Sequence, residues 1–165
     1  MAIAIRQESR KINHLGWKEK KRIRDRLEKI LSVLRCDDAY LSVLLTSSER
    51  MRELNRIWRG QSRAARILSF PQERKGIPAR VRQKAGPSQT ACVGATYMSP
   101  LTGRVLGDLA IRGDRSISDR MLIHGVLHLL GYEHHTEKKY AEMRAKEKEV
   151  LKAILADSRQ RTVDS

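Results

Sequence analysis

Apolar residues alternate at the start of the chain and then settle into helical spacing. Ile3 and Ile5 share one face of residues 2–6, the period of an opening strand. Over 17–34, Ile23, Leu27, Ile30, Leu31 and Leu34 recur on one side of a helix, and the basic run KEKKRIRDR occupies its start and outer face. Tyr40–Thr46 is rich in Leu and Val and predicts a second strand. Ser47 or Ser48 can cap a short helix that turns Met51, Leu54 and Ile57 inward. Residues 67–70 form a brief apolar run halted by Pro71, which suits a strand near a sheet edge because proline cannot donate to a ladder.

Residues 72–92 carry Gly, Pro, Gln and Lys without period and predict a long exposed loop. Segments 93–98 and 106–111 read as two further strands, with a Thr102-Gly103 turn between them. Ser116 with Asp119 resembles a capping box, opening a helix that runs to about residue 130. Thr136 can cap a last helix with Tyr140, Met143, Val150, Leu151 and Ile154 on one face. The resulting order, β-α-β-α-β-β-β-α-α, is an α+β pattern without internal repeats, and strand pairing does not follow from it. The length suits one domain over 1–157, with 158–165 as a polar tail.

Charge narrows the partners. The 165 residues include 34 Lys+Arg against 19 Asp+Glu, a net charge of +15. Such an excess argues for a polyanion: RNA, DNA or an anionic membrane. No apolar run approaches the roughly 18 residues that suggest a membrane span. The start MAIAIRQESR lacks the layout of a signal peptide, so a cytoplasmic, non-membrane protein is expected. Cys36 and Cys92, the only cysteines, make neither a disulfide framework nor a zinc knuckle and fit a reducing compartment. With one Phe in the chain, a stacking platform of the RRM kind is not expected.

The densest chemistry lies in HGVLHLLGYEHH, which holds four of the five histidines. On a helix, His124 and His128 stand one turn apart on the same face and can grip one metal ion. Gly131 can adopt the left-handed conformation that ends helices, letting the chain swing His134 back as a third ligand. His135 is the alternative third donor, and the glycine spacing favours His134. Three nitrogens leave a fourth position for water, the arrangement of a catalytic rather than a structural zinc site. A lone helical histidine is usually a packing residue, but this spacing within an apolar wall (Ile123, Val126, Leu127, Leu129, Leu130) has no other evident use. Metzincin peptidases share the spacing, yet they need a glutamate after the first histidine as general base. Gly125 stands there, so a peptidase lacks its base. Between 50 and 84 the chain places eleven Lys or Arg against two acids, Glu53 and Glu73, as expected of a phosphate-tracking surface or of a solvated loop. Trp58 is expected in the core. Arg59 is a candidate phosphate contact, although its sequence context does not separate it from its neighbours.

Together these blocks resemble the YbeY family of metal-dependent endoribonucleases, or rRNA maturation factors. HGVLHLLGYEH at 124–134 fits the family signature H-G-x-L-H-L-x-G-[YF]-[DE]-H throughout. LNRIWR at 54–59, LSFP at 68–71, LGDLAI at 106–111 and MRAKEKEVL in the last helix match further blocks in order. The resemblance implies an α+β fold, a small mixed β-sheet with helices packed on it, and a metal site at the end of the helix carrying HGxLH. It implies His124, His128 and His134 as ligands of one zinc ion and Arg59 as an active-site arginine. It further implies cleavage of single-stranded ribosomal precursor RNA, in maturation of the 3′ end of the small-subunit RNA and in ribosome quality control. The alternative is an RNA-binding ribosome-assembly factor with a structural zinc, and a minor one is a metalloprotease. The chain departs from the family before LSFP, where Ser62, Ala64, Ala65, Arg66 and Ile67 replace a segment that usually carries two acids. The loop before LGDLAI is longer and more basic than usual, and the interval from Ile111 to His124 is shorter, which removes or truncates a helix.

Overall fold

The computed structural model describes residues 1–8, 16–72 and 105–160, with side chains up to 157. The strand expected at 93–98, the Thr102-Gly103 turn and nearly all of the 72–92 loop lie outside the described residues. The elements are β1 (Ala2–Gln7), α1 (Trp17–Val33), β2 (Tyr40–Thr46), α2 (Ser48–Arg59), β3 (Ile67–Pro71), β4 (Val105–Arg112), α3 (Asp119–Leu129) and α4 (Glu137–Gln160).

Local signals account for most helix starts. The Ser47 hydroxyl accepts from the Arg50 amide at 3.3 Å and caps α2, and Thr136 accepts from the Lys139 amide at 3.3 Å at the start of α4. The cap of α3 is Ser118, whose hydroxyl accepts from the Met121 amide at 3.3 Å, and not Ser116. Ile117 explains the shift. It is buried in the main core, so the chain stays extended through it and turns helical only afterwards. Residues 113–118 form a turn and irregular chain, not a helix.

The four described strands lie in the order β1-β2-β4-β3. β1 and β2 are parallel, as a helical crossover through α1 requires, and β2 and β4 are parallel too. β3 pairs antiparallel with β4 and is the last of the four described strands, a position that tolerates Pro71. Tyr40 pairs with Val105 but Leu41 with Gly107, so Leu106 is an extra residue in a bulge. Gly107 has φ 135°, and a Cβ there would stand 2.2 Å from the Phe70 carbonyl oxygen, so only glycine fits. The bulge turns Leu106 to the same side as Leu109 and Ile111, and all three join the main core.

That core lies between one face of the sheet and α1, α3 and α4. On the other face α2 buries a smaller cluster, Met51, Leu54, Leu68 and Ala110, with Trp58 edge-on to Phe70 at 5.1 Å. Trp58 thus packs as expected. Ile57 does not: it is 44% exposed, because the stripe of α2 that meets the sheet is Met51, Leu54, Asn55 and Trp58, one residue away from it. On α4 the buried stripe is Met143, Glu147, Val150 and Ile154. Tyr140 begins that stripe but is 52% exposed, since there it lines a cavity rather than core. The helix continues past Asp157 to Gln160, beyond the point where the sequence alone suggests a loose tail. Among the described residues no helix is long and apolar enough to cross a membrane.

Candidate metal centre

α3 is held against the sheet at Gly125. A Cβ there would lie 2.5 Å from Ile67 Cδ1 and 3.1 Å from Leu109 Cδ2. The Ser69 hydroxyl donates to the Gly125 carbonyl at 2.9 Å, tying α3 to β3. Close packing here fixes the height of the helix, and with it the positions of His124 and His128 one turn apart.

The helix then ends as its glycine suggests. Gly131 has φ 90°; its amide donates to the His128 carbonyl at 3.1 Å and the Tyr132 amide to the Leu127 carbonyl at 3.0 Å, a Schellman turn. The reversal brings His134 back. One nitrogen from each of His124, His128 and His134 lies within 4.8 Å of the others. His135 stands beside His134, with ring centroids 5.9 Å apart, but is not part of the cluster. Glu133 is exposed and accepts from Lys139 Nζ at 2.6 Å.

The outer nitrogens set the tautomers. His128 Nδ1–H donates to the Tyr132 carbonyl at 2.9 Å, a partner that can only accept. His124 Nδ1–H donates to Glu147 Oε1 at 2.8 Å. In the neutral rings both Nε2 atoms then carry bare lone pairs, and they face each other at 3.1 Å. Burial, reinforced by His124, pushes the His128 pKa down to about 4, so this ring is neutral at physiological pH. Two converging imidazole lone pairs, a third imidazole within reach and fixed outer hydrogen bonds suit a divalent ion with nitrogen ligands. The donor set therefore fits a zinc-like ion.

Glu147 is the residue that sequence reasoning missed. It is 6% exposed, comes from α4, and offers its second oxygen to Arg120 and Arg144, each at 3.7 Å. An acid on the otherwise apolar stripe of α4, facing a histidine cluster, is the signal that could have found it. Arg59 ends α2, followed by the left-handed Gly60 cap. It is exposed by surface area, yet its guanidinium is packed closely enough that burial, helped by Arg63, lowers its pKa. Its charge is one of those that depress His128, so the cation lies within electrostatic reach of the cluster. Asn55, buried beneath it in the same helix, donates to the Arg63 carbonyl at 2.8 Å and braces the connection to β3.

The family model described as endoribonuclease YbeY matches residues 2–155. The chain belongs to the YbeY family. The endoribonuclease YbeY of Sulfurihydrogenibium sp. (strain YO3AOP1) is 33% identical over 137 residues, covering 75% of either chain. That of Persephonella marina (strain DSM 14350 / EX-H1) is 34% identical over 125 residues, again covering 75% of both. The Bacillus cereus (strain G9842) relative is 34% identical over 146 residues, covering 80% of this chain and 84% of its own. The residues before LSFP fall in two places. Ala64 and Ala65 pack against the small core under α2, whereas Arg66 lines a cavity shared with His124 and His134.

Proposed function

We propose that the protein is a zinc-dependent endoribonuclease that cuts single-stranded ribosomal precursor RNA, acting at the 3′ end of the small-subunit RNA and in ribosome quality control. Residues 1–157 would act as one domain in the cytoplasm. The observation that carries this reading is the apposed pair of His124 and His128 Nε2 atoms, with His134 completing the set.

His124, His128 and His134 would hold the ion. When bound, it supplies Lewis-acid polarisation of a phosphoryl oxygen and a water acidified toward neutrality. The protein's own groups do the rest. Glu147 and the Tyr132 carbonyl keep the two Nδ1 protons in place and so keep the Nε2 lone pairs turned inward. Arg59 offers a planar cation, from within electrostatic reach of His128, to the charge that builds on the phosphoryl oxygens. The basic stretch around 50–84 tracks the phosphate backbone. Against the peptidase alternative, Gly125 supplies no general base, and a side chain there would have to displace the methyl ends of Ile67 and Leu109.

Chelation tests the reading. EDTA should abolish cleavage of a single-stranded RNA while circular dichroism shows the fold retained, and added Zn²⁺ should restore cutting. If EDTA unfolds the protein, and the zinc-loaded form never cuts, the assembly-factor reading with a structural zinc takes its place.

A further inference from the structure

Beside His124 and His134 lies a cavity of about 410 Å³. It falls in the span of about 300–1,000 Å³ typical of small-ligand pockets, room for one nucleotide but not for a duplex. Its wall carries Arg66 from the approach to β3, Arg120 from α3, and Tyr140 and Arg144 from α4, next to His124 and His134.

The charges there do not balance. Three guanidinium groups share the cavity with one carboxylate, Glu147. Glu147 already gives one oxygen to His124, and the other stands 3.7 Å from both Arg120 and Arg144, too long for good hydrogen bonds. Their N–H groups remain open to a better acceptor. The Arg66 side chain has no ion-pair partner among the described residues. Such an excess of planar cations suits a phosphate.

The cavity also holds an exposed aromatic face. Tyr140 is 52% exposed on a stripe whose other members are buried, and Arg144 lies over its ring at 5.8 Å. Tyr140 is thus a half-exposed ring that lines the cavity next to His124 and His134. Met121 and Met143 add apolar wall on either helix.

We propose that this cavity is the subsite for the nucleotide next to the scissile phosphate. Its base stacks on Tyr140, and its phosphate is held by Arg66 and Arg120. The subsite rests on the endoribonuclease reading and adds to it. It takes a single unpaired nucleotide and assigns a use to Arg66.

The test is binding of a fluorescein-labelled oligouridylate to the full-length chain in EDTA, read by anisotropy, alongside zinc-dependent cleavage of the same RNA. Tyr140→Ala should weaken binding about tenfold, within the span that loss of one base–aromatic stack produces, while Tyr140→Phe should bind like the wild type. Arg66→Ala should weaken binding and reduce the slope of log affinity against log salt by about 0.7, the share of one single-strand phosphate. Thermal melts of the three variants should match the wild type, since neither side chain is in the core. Tyr140→Ala and Arg66→Ala proteins that bind like a wild type that still cuts would overturn the subsite and leave the endoribonuclease reading standing. A zinc-loaded wild type that neither binds nor cuts would overturn both.

Discussion

Two neutral imidazoles with bare nitrogens 3.1 Å apart repel unless a cation or a proton sits between them. Burial pushes His128 down to about pH 4, so its Nε2 lone pair is open to a metal ion at neutral pH. Glu147 holds the outer nitrogen of His124 at 2.8 Å. A ligating histidine needs its outer N–H fixed, and loss of such a partner commonly costs 10–100-fold in metal affinity. Glu147→Gln should therefore weaken zinc binding by at least about tenfold in competition with a chromophoric chelator, with the helical signal unchanged. Unchanged affinity would mean that the carboxylate is only a counter-ion for Arg120 and Arg144. The histidines were legible in the sequence because they sit within one short stretch and their spacing has few other uses. Glu147 was not, because it lies 23 residues from His124 and is one acid in a run of alternating charges. Only the depth of its helical stripe distinguishes it.

At the scale of elements, the histidine cluster depends on how closely α3 can approach β3 and β4. Gly125 sets that distance. Gly125→Glu, the residue a metzincin would carry, should not create a peptidase. It would push a carboxylate against Ile67 and Leu109, and we expect a loss of about 3 kcal/mol in urea unfolding, combining overpacking with a buried charge. A variant as stable as the wild type would show that α3 can lift without cost. The helices were largely readable, since their apolar periods and caps are local. Misreadings arose where tertiary packing overrode the local signal: Ile57 lies just off the stripe of α2, and Ile117 delays the start of α3 to Ser118. Strand order was not readable, because β3 returns antiparallel to β4 through contacts distant in sequence. The bulge at Gly107 likewise depends on the Phe70 carbonyl of another strand.

Over the whole molecule, an excess of +15 predicts that RNA binding is driven in large part by counterion release and falls steeply with salt. Reversing the charge at Arg80 and Arg82 should weaken RNA binding and flatten that salt dependence, while leaving zinc content unchanged. If affinity and slope both stay the same, the basic stretch is a solvated bystander and the phosphate contacts lie elsewhere. The sequence reveals such a stretch by charge count alone but not which of its arginines faces the cluster. Of the described arginines in that stretch, Arg66 lines the cavity beside His124 and His134, and Arg59 at the end of α2 contributes to the lowered pKa of His128.

The most direct measurement is cleavage of a single-stranded ribosomal precursor RNA by zinc-loaded wild type and by His128→Ala, purified side by side. Removing that imidazole leaves the fold's glycine contacts intact but takes away one of two apposed Nε2 donors. Cutting by the wild type alone, with zinc lost from the variant, is the expected result. Equal cutting by both proteins, or a variant that keeps its zinc and its activity, would contradict a catalytic centre built on these histidines.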